Sequence, residues 1–211
     1  MANADSMTDR AKELEAAAKD INPASLQAAK SAIAMNCREY LRWADLFSHC
    51  LETVEPEELH KFARALSLTL LGHLPTRPST CPFCIQYGHD KTCQGCGYAA
   101  THGRCDADDS AFSLFIESFQ ELGKLIYQDT TASQSSFLPV ETKGLLFALL
   151  QASQELAREM QEDRPSLTTL QLMRQKQIYI ERMILQLPLC LFSGDVQKQC
   201  RILQYRLQGY W

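Results

Sequence analysis

Apolar residues recur along most of this chain in steps of three and four. Between about residues 24 and 53, Leu26, Ala29, Ile33, Cys37, Tyr40, Ala44, Phe47 and Leu51 share one helical face. Such a stripe predicts a helix that must bury that face. Asn22 offers a capping side chain and Pro23 suits the first turn. Before it, the Ala/Glu/Lys-rich stretch from Thr8 to Lys19 predicts a helix by propensity. After it, Pro56, Glu57 and Glu58 open a helix carrying Leu59, Phe62, Ala63, Leu66, Leu70 and Leu74.

The pattern breaks at Pro75. Residues 75–106 hold three of the eight prolines, four of the nine glycines and five of the nine cysteines. No helical period survives there. The segment predicts a loop-rich insert with no core of its own, which something else must hold.

Helical spacing resumes near Asp108, with Asp109 and Ser110 as cap and acidic first turn. Phe112, Phe115, Ile116, Phe119, Leu122 and Ile126 form the stripe. Residues 130–136 read as a loop. A helix over 139–162 is apolar on most sides in its first half, which predicts a central position. Another spans about 166–187 and stops before Pro188; a last one starts at Ser193, Gly194 and Asp195. The expected fold is all-α: an antiparallel bundle of about seven helices, with a Cys-rich, metal-stabilised loop insert between the third and fourth. Residues 1–211 read as a single helical domain, and 75–106 as the metal-binding insert within it.

Composition narrows the class. The chain has 211 residues, 45% apolar and 22% charged, the balance of a globular protein. A net charge of −4 argues against nucleic-acid binding. The longest runs without Asp, Glu, Lys or Arg are 12 residues, too short against the about 20 a membrane-spanning helix needs. The first 20 residues lack the apolar core of a secretory signal. Clustered thiols without a secretory context predict a cytoplasmic protein whose cysteines bind metal rather than form disulfides. Cys37, Cys50, Cys190 and Cys200 are scattered through helical patterns and read as small buried apolar residues.

The insert carries the chemistry. Cys81-Pro-Phe-Cys84 and Cys93-Gln-Gly-Cys96 are matched pairs, separated by eight residues; Cys105 follows after eight more. Each Cys-x-x-Cys turn puts two sulfurs on one side of a tight loop, so two turns supply the four thiolates of a tetrahedral zinc. Gly95 and Gly97 let the backbone turn around the metal and aim amides at sulfur. Cys93-Gln-Gly-Cys96-Gly97-Tyr98 resembles half of a rubredoxin-type or zinc-ribbon knuckle, a local likeness of about 25 residues that implies no activity. The expected ligands are Cys81, Cys84, Cys93 and Cys96, with Cys105 an additional ligand or a reactive thiol. His89 and His102 flank the pairs as alternative ligands, but solvated loop histidines are the plainer reading. An iron–sulfur cluster is the alternative occupant.

Other motifs are set aside. Cys81-Pro-Phe-Cys84 is a glutaredoxin-type tetrapeptide without the strand and helix that motif needs. Glu57-x-x-His60 is half of a di-iron motif without its second half, and reads as a first-turn surface pair. Asp45 and His49, four apart, read as an ordinary salt-linked pair. The leading expectation is a zinc-stabilised all-helical interaction or accessory protein with an unidentified protein partner. The alternatives are a cluster-bearing redox or sensor protein, and an enzyme with a small-molecule site between helices and a structural zinc.

Overall fold

The computed structural model describes residues 2–88, 93–130, 138–163 and 166–209. Nine α-helices and no strand occur among them. They are α1 (Ala2–Lys19), α2 (Pro23–Thr53), α3 (Leu59–Gly72), α4 (Pro82–Tyr87), α5 (Gly97–His102), α6 (Ala111–Gln128), α7 (Pro139–Asp163), α8 (Thr169–Ile184) and α9 (Gly194–Gln208).

The long helices start where their caps require. Asn22 Oδ1 accepts from the Ser25 amide at 2.7 Å at the head of α2, and Ser110 Oγ accepts from Ser113 at 3.0 Å at the head of α6. Thr168 and Gln171 close a reciprocal capping box before α8. The α2 stripe is buried as its spacing implies: Ala29, Ile33, Tyr40 and Ala44 are inaccessible to solvent. It faces α7 through polar contacts as well. Tyr40 donates to Ser153 Oγ at 2.6 Å, and Lys143 donates to the Glu52 carbonyl at 3.2 Å. Residue 52 meets 143 while 40 meets 153, so the two helices run antiparallel. A second close pair is α6 with α9.

Several expectations change. The 75–106 segment is not a coreless loop: it holds α4, α5 and a 3₁₀ turn at Pro78–Thr80. Phe83 and Tyr98 are buried there, with ring centroids 6.3 Å apart. These helices span six residues each, too short for the 3.6-residue pattern to show. The helix over 139–163 is not apolar-buried throughout its first half, since Val140 and Phe147 are exposed. Of the scattered cysteines, Cys37 and Cys200 are buried, but Cys50 and Cys190 are exposed.

Two polar pairs also differ. His49 Nδ1 donates to the Asp45 carbonyl at 2.8 Å, while the Asp45 carboxylate accepts from Gln154 at 2.9 Å. His60 is not a surface partner of Glu57. Its Nε2 lies 3.2 Å from Oδ1 of Asp129, whose side chain is fully buried. Asp129 Oδ2 accepts the Ser193 amide at 2.9 Å. One carboxylate thus joins the start of α3, the end of α6 and the approach to α9. Arg64 adds a second tie between α3 and α6, donating to the Ile126 carbonyl at 3.1 Å and to that of Tyr127. A cation there complements the helix C-terminus.

Candidate metal centre

The thiol-rich segment is clamped to the rest of the fold before any metal chemistry is considered. Gln86 on α4 accepts the Asn22 amide at 2.7 Å and donates to the Asp20 carbonyl at 3.1 Å. It thereby latches the break between α1 and α2. Thr80, buried, donates from Oγ1 to the Pro75 and Arg77 carbonyls at 2.8 and 2.7 Å. This fixes the turn that delivers Cys81 to the first position before α4. Gly97 begins α5 against α1: a Cβ on it would lie 1.9 Å from Cβ of Ala17. The role expected for Gly97, turning around a metal, is therefore better described as close helix approach. Gly95 does turn, with φ +79°, and Cys93 itself has φ +52°. The Cys96 amide closes that turn on the Cys93 carbonyl at 3.0 Å.

Cys81, Cys84 and Cys105 lie around one small cavity. Cys81 donates to Cys84, and this bond, followed by burial, pushes the Cys81 thiol well up. Cys84 in turn donates to Cys105, chiefly for which its pKa rises to about 12. The backbone amide of Cys84 opposes the shift at Cys81 by favouring its thiolate. Cys96 lies near enough for the charges of Cys81 and Cys93 to act on it. Burial raises its pKa, and the amides of Ala99 and Tyr98 partly offset the rise. Cys81, Cys84, Cys105, Tyr98, Phe112 and Met173 help line a cavity of about 10 Å³. That is room for roughly one small ion or water.

Of the sequence-predicted residues, then, Cys81, Cys84 and Cys105 line one cavity, and Cys96 lies within range of the charge of Cys81. The charge of Cys93 also acts on Cys96. All nine cysteines are free thiols. No group of three or more His, Cys, Asp or Glu among the described residues is arranged to hold a metal ion. His102 is not a loop histidine: it ends α5, stacks on Tyr98 at 4.5 Å and lies 2.7 Å from Thr101 Oγ1. His89 lies outside the described residues.

One functional candidate escaped the sequence reading. Lys176, 1% exposed on α8, donates from Nζ to the Thr80 carbonyl at 3.5 Å. Burial lowers its pKa, and the charges of Cys81, Cys84 and Cys105 oppose that shift. A signal existed. Lys176 falls in register with Leu172, Met173, Ile180 and Met183, so it is a lysine on an apolar stripe.

Two further cavities bear on the alternatives. One of about 210 Å³ lies between α7 and α8, where Arg182 and Glu159 pair at 2.8 Å with both side chains about half exposed. Another, of about 460 Å³, is walled by Ala18, Ile21, Leu26 and Leu170. The first also takes in Gln175 and Tyr179, and the second Glu15, Lys19, Thr168 and Thr169.

The chain matches no protein-family model, no curated protein and no solved structure. Among the described residues, no helix is long and apolar enough to cross a membrane.

Proposed function

We propose that the chain is a zinc-stabilised, all-helical interaction or accessory protein of the cytoplasm, with a structural metal that pins residues 75–106 against the long helices. The observation that carries this reading is the small cavity that Cys81, Cys84 and Cys105 line together, with Cys96 within range of the charge of Cys81. Matched Cys-x-x-Cys pairs supply enough thiolates to saturate one zinc at about 2.3 Å per bond. On this reading Cys81, Cys84, Cys93 and Cys96 are the ligands. Metal uptake would replace the protons of these four thiols with coordinate bonds and release the protons to solvent. Cys105 is then the additional ligand or reactive thiol.

A saturated structural metal leaves the surface to do the work. Met35 and Leu46 are exposed on the side of α2 opposite its buried stripe, and Trp43 is exposed on the flank. That apolar exposure supports a protein partner, and the net charge of −4 disfavours nucleic acid.

The iron–sulfur alternative is favoured by one observation: a fifth thiol, Cys105, hydrogen-bonded to Cys84 and ready to exchange as a labile ligand. Elemental analysis of protein purified reduced and without oxygen decides the matter. One zinc per chain and a colourless solution support the leading reading. A brown protein absorbing near 400 nm supports the cluster. Neither zinc nor iron near stoichiometry removes both.

A further inference from the structure

We infer that the cavity of about 460 Å³ between α1 and the head of α8 binds a small organic anion, a monocarboxylate carrying an apolar chain. The inference stands apart from the metal reading, since no cysteine lines this cavity.

The argument starts from a spare hydroxyl. Thr169 is 5% exposed and lines the cavity, yet its side chain makes no hydrogen bond among the described residues. A hydroxyl taken out of water without a partner is costly, so the cavity is where that partner belongs. Its neighbour Thr168 shows the contrast. The Thr168 hydroxyl and amide are both engaged with Gln171 Oε1, at 3.0 and 2.9 Å. The capping residue is therefore occupied, and the residue after it is left to face the cavity.

The helix end says what charge the partner carries. Thr169 is the first residue of α8, a helix of 16 residues, and stands at its positive end. The first bond of the helix ladder runs from the Leu172 amide to the Thr168 carbonyl at 2.8 Å, so the amides of Thr169 and Leu170 lie ahead of it. An anionic oxygen is favoured beside such amides. Lys19 borders the same cavity from α1. It pairs with Glu15 at 3.3 Å, with both side chains more than half exposed. A surface pair of that kind is weak enough for the ammonium to be shared with a ligand.

The remaining wall says what the anion is attached to. Ala18, Ile21, Leu26 and Leu170 are apolar and complete the cavity. An inorganic anion would leave that wall wet, and a neutral chain would leave Thr169 unpaired. A carboxylate with an apolar chain satisfies both. Glu15 on the rim disfavours a second negative charge, which restricts the class to monocarboxylates. The volume falls within the about 300–1,000 Å³ of small-molecule sites.

The test uses the full chain, reduced, with octanoate as the probe, followed by calorimetry and by amide chemical shifts. The expected result is saturable one-to-one binding that shifts the amides of Thr169, Leu170 and Ala18. Acetate lacks the chain and octanol lacks the charge, and each should bind about tenfold more weakly or worse. Thr169→Val keeps the shape and removes the hydroxyl. A hydrogen bond to a charged acceptor is then lost, so octanoate affinity should fall about tenfold or more while octanol affinity stays. Lys19→Gln should cost about twofold to fivefold, a loss that disappears at high salt. Urea denaturation of both variants separates lost affinity from lost fold. Should Thr169→Val unfold, Lys19→Gln and the comparison of octanoate with acetate and octanol on wild type decide. Octanol binding as well as octanoate, unchanged octanoate affinity in a folded Thr169→Val, or shifts confined to other residues would overturn the inference. Leucine binding more tightly than octanoate would overturn it too, because Glu15 would then be holding an ammonium.

Discussion

Lys176 and Thr80 are 96 positions apart in the chain, yet the lysine Nζ donates to the threonine carbonyl at 3.5 Å, one residue before the first cysteine of the cluster. This contact makes α8 part of the thiol-rich site. It also makes the segment over 75–106 a packed element rather than an appendage, since Thr80, Phe83 and Tyr98 are buried with it. The consequences for stability can be measured.

Removing the first thiol should loosen α1 together with the cysteine segment. α5 packs on α1, and Gln86 of α4 holds the α1–α2 break. In Cys81→Ser, limited proteolysis is expected to cut within 75–106 and within α1 before it touches α2 or α7. If the proposed metal is bound there, its binding is coupled to local folding, and the same pattern should follow chelation of the wild type. Cuts confined to 75–106 would show that α1 is held independently.

Gly97→Ala should separate α5 from α1. The added methyl would meet Ala17 Cβ at 1.9 Å, a clash that rotamers cannot relieve because neither side chain has any. Overpacking of this kind costs about 1–3 kcal/mol. Because the clash is one methyl against one methyl, Ala17→Gly in the same chain should recover most of the loss. Urea denaturation of the single and double variants measures both numbers.

Asp129→Ala should be among the more damaging single changes outside the core. The carboxylate accepts the Ser193 amide at 2.9 Å and lies 3.2 Å from His60 Nε2 with its side chain fully buried. Losing it strands a buried donor, at about 1.5–3 kcal/mol. His60→Ala removes one of the two partners and is expected to cost less. Equal losses in the two variants would place the weight of the contact on the histidine.

Tyr40 gives the fold an alkaline limit. Burial pushes its pKa up to about 12 from 10.0. The neutral phenol is thus favoured in the folded state. Its contribution is fully present below pH 10 and is lost as pH rises through about 12, up to about 3 kcal/mol in all. Tyr40→Phe forfeits the 2.6 Å bond to Ser153 and should cost about 1 kcal/mol at neutral pH. It has no phenol to ionise, so the order of stability should reverse by about pH 12. Denaturation of both proteins at pH 7 and across pH 10–12 shows whether it does.

What the sequence determined by itself was everything that repeats locally. The stripe from Ala29 through Ala44, the caps at Asn22 and Ser110, and the two Cys-x-x-Cys pairs are relations among residues a few positions apart, where helix geometry and turn chemistry suffice. Short elements were beyond that reach: α4 and α5, six residues each, offer less than two turns of pattern among prolines and glycines. Tertiary structure alone decided the rest. Lys176 went unread on its apolar stripe, and only the packing of α8 brings it to the carbonyl of Thr80, the residue before Cys81. Cys105 became a neighbour of Cys84, Gly97 a close-approach glycine against Ala17, and His60 a partner of Asp129. The physical reason is common to all four. Which buried group meets which is fixed by how long helices pack, and that packing is set by the whole apolar surface at once rather than by spacing within any one segment.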